Sequence, residues 1–146
     1  MGRYAIFSIA LAVVLAIGFW WTEPTGDDLA TTTDNVSRAN DPMVNVLLPE
    51  TLSVNAEIGK VAYEAKCAIC HGANAAGQDG VAPPLVHKIY EPSHHGDAAF
   101  LLAAKNGVRA HHWRFGNMPP VEGVTDGDVK MIVAYVRELQ RANGID

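Results

Sequence analysis

The chain has only two cysteines, too few for the disulfide framework that staples many small secreted domains. It also lacks any basic run. Lysine and arginine number 11 against 16 acids, a formal net charge of −5, which excludes the electrostatic footprint of a nucleic-acid binder. No internal repeat is present, and no stretch reads convincingly as a strand, so an all-α class is what remains. Long apolar runs occur once, at the N-terminus. A length of 146 residues is that of one domain.

Both cysteines fall in Cys67-Ala68-Ile69-Cys70-His71. Two thiols three positions apart on a helical turn can each add to a vinyl group of haem, and the adjacent histidine then falls under the iron as its proximal ligand. The competing readings are a structural zinc half-site, a thioredoxin-type redox pair and two core thiols. Zinc needs two more ligands; with no further cysteine, histidines would have to serve in a less usual arrangement. The redox pair belongs at the end of a strand in a βαβ unit, and no such pattern surrounds it. One haem c, covalent through Cys67 and Cys70 with His71 on the iron, is the expectation.

The compartment must be read from the N-terminus. After Arg3, the uncharged run from Tyr4 to Trp21 is 18 residues long. That is the lower limit for crossing a bilayer and longer than the ~7–15 residues of a secretory signal core. Arg3 before it and Glu23, Asp27 and Asp28 after it favour the start inside and the rest outside, with Phe19, Trp20 and Trp21 as an aromatic belt. The competing reading is signal cleavage after Ala16-Ile17-Gly18. Residues 1–21 are expected to be a retained signal anchor, a transmembrane helix. Residues 22–53, with six acids, one base and prolines at 24, 42 and 49, read as an acidic Pro/Thr-containing tether extended by its own charge. Within it, Met43 to Leu48 is apolar enough to pack on the globular part, 54–146.

In that part Val54, Ile58, Val61, Ala62 and Ala65 keep helical spacing, with Ser53 or Asn55 as N-cap, in a helix predicted to run into the cysteine motif and end near Gly72. Val81-Ala82-Pro83-Pro84-Leu85 must be extended. Asp97 is expected to cap a short helix, Ala98 to Asn106, that Gly107 closes. Thr125 with Asp128 forms a capping-box start to a last helix whose apolar stripe is Val129, Ile132, Val133, Val136 and Leu139, stopping at Asn143-Gly144. Three main helices give a thin core for so many residues, so a large buried cofactor would be physically useful.

A methionine sulfur is a soft sixth ligand that raises the potential of haem iron. Met1 falls in the anchor, Met43 in the tether and Met131 inside the last helix, where packing is the ordinary role. Met118, in the loop segment Asn117-Met118-Pro119-Pro120, is the candidate; the bland alternative is a gap-filling loop methionine.

With these residues in place, 54–146 resembles the class I c-type cytochromes, with His71 as proximal and Met118 as distal ligand. Gly59 and Tyr63 stand where that family crosses its first helix over its last, and Tyr135 where the last helix has its aromatic partner. Pro83 resembles the proline whose carbonyl takes a hydrogen bond from the proximal histidine; Pro84 is the alternative. The resemblance implies the cytochrome c fold, with helices and loops around one covalent haem. It also places the loop of Trp113 beside the haem propionates, one of which the indole N–H is suited to bind.

The function implied is that of a membrane-tethered periplasmic monohaem cytochrome c, a one-electron carrier and not an enzyme. Its partners would be redox proteins: a membrane respiratory complex, an oxidase or a dehydrogenase. The location would be the bacterial inner membrane, single-pass, with the haem domain in the periplasm. Two rival readings stand beside it. One is a peroxidase-like haem enzyme or gas sensor with an exchangeable sixth ligand, although no second haem motif is present. The other uses the doubled histidines His94-His95 and His111-His112, which the family pattern does not require, as a copper or zinc site. Solvated loop polarity is their plain alternative. Scattered lysines, with nine bases against ten acids from Val54 on, give no strongly basic docking ring.

Overall fold

The computed structural model describes residues 40–146, so the expected anchor at 4–21 and the tether up to 39 lie outside the described residues. Among the described residues no helix is long and apolar enough to cross a membrane. Four helices build the domain: α1 (Val54–Lys66), α2 (Ala68–His71), α3 (Asp97–Asn106) and α4 (Asp126–Ala142). Short 3-10 turns lie at Ala73–Ala75 and Lys88–Tyr90. Pairing of extended backbone among the described residues is limited to isolated antiparallel bridges, Gln78 with Ala82 and Val108 with Met118. The domain is all-α.

Ser53 starts α1 in two ways. Its hydroxyl oxygen accepts from Ala56 N–H at 3.3 Å, while its own N–H and O–H donate to the Glu138 carboxylate at 3.1 and 2.6 Å, tying the start of α1 to α4. The expected continuous helix through the cysteines does not form. α1 stops at Lys66; Cys67, at φ −110° and ψ −32°, still donates its N–H to Tyr63 O at 2.8 Å, and the motif then makes its own short turn, α2, which ends at Gly72 as expected.

Of the stripe whose spacing assigned it to the core, Val54, Ile58 and Val61 face solvent instead, at 72, 53 and 69% exposure, while Ala62 packs against the core. α1 buries Ala56, Gly59 and Tyr63. The cause is steric. A Cβ on Gly59 would lie 1.8 Å from the backbone oxygen of Met131, so the two helix backbones cross in contact and only the face with small residues fits there. Tyr63 and Tyr135 flank the crossing, ring centroids 5.6 Å apart.

On α4 the capping box forms as the sequence predicts: Thr125 N–H donates to Asp128 Oδ2 at 2.8 Å and Asp128 N–H donates to Thr125 Oγ1 at 3.2 Å. All five expected stripe residues are buried, and so are Arg137 and Gln140, which an apolar count passes over. Arg137 Nε donates to Asp97 Oδ1 at 2.9 Å and its Nη1 to Tyr90 O at 2.7 Å, while Nη2 reaches His95 O. Gln140 Nε2 donates to Leu85 O at 2.8 Å and Tyr90 O at 3.0 Å. The irregular segment 85–95 is therefore held by two side chains of α4. Asp97, expected as the cap of α3, is its first residue; Gly96 holds the cap position and the carboxylate is turned to Arg137.

Residues 40–53 do not behave as the end of a tether. Met43 and Val44 N–H both donate to Ala76 O, at 3.1 and 3.2 Å, and Leu47 exchanges two 2.9 Å hydrogen bonds with the Asn143 side chain at the end of α4. Val46 and Leu52 pack on the core. The compact unit thus extends upstream of the boundary at 53 that composition indicates.

Gly59→Ala should destabilise the holoprotein by about 3 kcal/mol or more, because the atom it collides with is backbone and cannot rotate away. Val61→Ala, on the solvent face of the same helix, should change stability by less than about 0.5 kcal/mol. Denaturant unfolding of the two variants checks both values.

Candidate functional site

Cys67, Cys70 and His71 line one cavity of about 520 Å³, the size range that encloses a whole ligand. His71 itself is buried, 9% exposed. Its Nδ1 lies 2.9 Å from Pro83 O. A carbonyl only accepts, so Nδ1 carries the proton and Nε2 keeps its lone pair. The partner is Pro83 and not Pro84. Burial lowers the pKa of His71, with the Pro83 carbonyl opposing, so the ring is held neutral as a metal ligand must be.

The backbone around the motif is fixed from three sides. Tyr63 O–H, buried beside the helix crossing, donates to Gly72 O at 2.8 Å. Gln78 Nε2 donates to Ala68 O and Ile69 O, each at 3.0 Å, the first of which also accepts Gly72 N–H at 2.9 Å, so one side chain clamps two carbonyls of the motif. Gly72 turns the chain at φ 74°, where a Cβ would meet Gly77 O at 2.5 Å.

Met118 enters the same cavity from the other part of the chain. Val108 and Met118 exchange N–H to O bonds of 2.9 Å each, closing the loop between them. Gly107 permits this: a Cβ there would stand 2.5 Å from Met118 O. Of the methionines among the described residues, Met43 and Met131 lie elsewhere and Met118 lines the cavity.

Burial, then the neighbouring Cys70, pushes the Cys67 thiol up to about 11, the opposite direction to the depressed pKa through which a dithiol exchanger works. Trp113 adds a second sign of a missing polar partner. Its Nε1 is buried and makes no hydrogen bond within the protein. Tyr90 is near enough for the indole to oppose the rise that burial gives the phenol, but no hydrogen bond of normal geometry joins them. A buried N–H without an acceptor on the wall of a cavity fits a ligand that brings its own oxygen. A covalent haem meets each requirement: two thiols to alkylate, a neutral imidazole for iron, and a donor for a carboxylate.

Residues 56–140 match the protein family described as Cytochrome c. The chain belongs to the cytochrome c family. A protein of Azospirillum brasilense described as "Cbb3-type cytochrome c oxidase subunit CcoP" is 31% identical over 112 residues, 73% of this chain and 36% of that one. The chain thus spans about a third of that relative's length. As a cytochrome c, it carries haem c attached through Cys67 and Cys70.

Three features of this cytochrome were not found by sequence reasoning. Gln78 as the cover of the motif's carbonyls left no signal, since a glutamine in a glycine-rich loop is unremarkable. Arg137 and Gln140 did leave one: each lies four residues after a stripe residue, Val133 and Val136, and so on the buried face. The doubled histidines were noticed, but not their meeting. His94, His95 and His112 come together at the cavity's edge, and His112 is held below the ordinary imidazole range by partial desolvation and then by His111, His95 and His94.

Tyr63→Phe should cost the holoprotein about 1–2 kcal/mol, because it leaves the Gly72 carbonyl without its donor. Equilibrium unfolding followed by the haem absorbance and by circular dichroism should show one coincident transition, shifted to lower denaturant.

Proposed function

We propose that this cytochrome is a membrane-tethered, periplasmic one-electron carrier with His71 and Met118 as its axial ligands. The observation that carries the reading is that the motif's His71 and the loop's Met118 line the same cavity. When bound, haem supplies a one-electron couple. The remaining work belongs to the chain. His71 Nε2 would hold the iron, with Pro83 fixing the ring and raising its basicity through Nδ1. Met118 sulfur would also hold the iron, and as a soft ligand it would favour the reduced form. Trp113 Nε1 would donate to a propionate. Apolar groups on the wall, Phe100 and Val129 among them, keep water from the metal and lower the local dielectric.

An electron carrier needs an approachable haem edge. Ile69, within the motif and outside the cavity wall, is 80% exposed, so the motif offers a partner an apolar rim. Such a rim suits brief contacts whose orientation does not depend on a strong basic field. The likeness to a protein named as an oxidase subunit supports a membrane respiratory complex as the partner. A helix at residues 4–21 would keep the domain close to that complex, and the acidic stretch after it sets the reach.

Met118→Ala should give a high-spin or misligated haem with a lower potential. An unaltered visible spectrum and potential in that variant would reject the ligand assignment.

The anchor is read by fractionation and mass. Haem-containing protein should stay with salt-washed membranes, leave them only in detergent, and retain residues 4–21. Release by salt, with a mass that begins at Phe19, would make it a soluble carrier.

A further inference from the structure

Two histidine pairs, 94–95 and 111–112, are far apart in sequence and meet in space. One imidazole nitrogen from each of His94, His95 and His112 lies within 4.8 Å of the others. The closest two, His94 Nε2 and His112 Nε2, are 3.4 Å apart. Two nitrogens bound tetrahedrally to Zn²⁺ at about 2.0–2.1 Å stand roughly 3.3 Å from each other. That spacing is therefore already close to the one a cation would impose.

We propose that His94, His95 and His112 form a site for a divalent first-row transition cation of the zinc and copper class, beside the haem.

Three further observations make this more than a set of polar loop residues. The first concerns tautomers. His95 Nδ1 lies 2.6 Å from Ile89 O, and since the carbonyl can only accept, the ring's Nε2 is left with a free lone pair. The neighbouring His111 is set the same way, with Nδ1 2.8 Å from Arg109 O, and its ring centroid is 4.2 Å from that of His112. A backbone carbonyl on Nδ1 is the usual companion of a metal-binding imidazole.

The second is that the backbone carrying the cluster is fixed. Arg137, buried in α4, reaches His95 O, and His94 and His95 N–H both donate to Glu91 O, at 3.0 and 2.8 Å. The other pair sits in the loop that the Val108 to Met118 bridge closes, where Ala110 N–H also donates to Asn117 Oδ1 at 2.9 Å. The ligands are thus carried on two pinned loops, which limits the ordering that binding would cost.

The third is the donor set. Imidazole nitrogen without thiolate or carboxylate selects zinc, copper or nickel over calcium or magnesium. Three ligands leave at least one position open to water or to His111.

Placement gives the site a consequence. His95, His111 and His112 line the cavity that takes the haem, so a bound cation adds positive charge at its wall. That charge favours the reduced haem and raises its potential. This second part rests on the electron-carrier reading; cation binding does not.

The test uses untagged holoprotein and Zn²⁺, which has no redox chemistry of its own. Calorimetry should give one Zn²⁺ per chain, and absorption fine structure at the zinc edge should show three or four nitrogens at about 2.0 Å. His94→Gln and His112→Gln, both at exposed positions, should each weaken binding by at least about tenfold, and His94→Gln, which lies outside the cavity wall, should leave the visible spectrum unchanged. An optical redox titration should show a higher potential with Zn²⁺ in the parent protein and no shift in the variants. Binding that neither substitution weakens, or a zinc shell of mostly water oxygens, would overturn the site. Binding with the expected shell but an unmoved potential would overturn the link to the haem. A normal spectrum without zinc binding sinks this proposal and leaves the carrier reading standing.

Discussion

The contact on which the rest depends is the approach of two backbones at Gly59 and the Met131 carbonyl. With 1.8 Å between that oxygen and where a Cβ would sit, α1 and α4 can approach this closely only because position 59 is glycine. Cys67 follows Tyr63 by one helical turn, and Tyr63 is locked on both sides of itself: its ring against Tyr135 and its hydroxyl on Gly72 O. The two ends of the cysteine motif are thereby referred to the same crossing. His71 is then aimed by Pro83 within a frame that α4 already fixes.

What the sequence made legible followed from chemistry that has few alternatives. Cys67, Cys70 and His71 admit few other uses at that spacing, and the Thr125–Asp128 box admits one geometry. The α4 stripe was legible because side chains decide its packing. On α1 the same rule failed. Val54, Ile58 and Val61 have the right period and face water, since the contact there is made by a glycine and hydrophobicity carries no information about backbone proximity. The end of the tether was misjudged for a related reason. The apolar patch from Met43 to Leu48 hinted at docking, and Val46 does pack on the core, but main-chain hydrogen bonds to Ala76 and the Asn143 side chain, which composition cannot see, also hold the segment.

Arg137 and Gln140 show how a buried polar pair substitutes for regular structure. The segment from Leu85 to His95 has little helix and no sheet to satisfy its carbonyls, and an unpaired buried carbonyl costs about 1–3 kcal/mol. Two side chains of α4 serve the carbonyls of Leu85, Tyr90 and His95, and Arg137 Nη1 also donates to Gln140 Oε1 at 2.6 Å. One helix therefore positions the first helix by contact and the haem-side loop by hydrogen bonds. The pair of histidines on that loop inherits its rigidity.

The size of the cavity explains why so few helices suffice. A domain of this length with four short helices has a narrow apolar core, centred on Tyr63, Tyr135, Val136 and Leu139. A cavity of about 520 Å³ leaves the side chains that line it short of contacts until a ligand fills it. Much of the wall of that space comes from α3 and the loop after it, from Ala99 to Val121. Attachment through Cys67 and Cys70 makes the filling permanent, so the cofactor acts as the missing half of the core as well as the redox centre. The covalent bonds thereby keep the folded state from depending on the free concentration of haem, a dependence that reversible binding would impose.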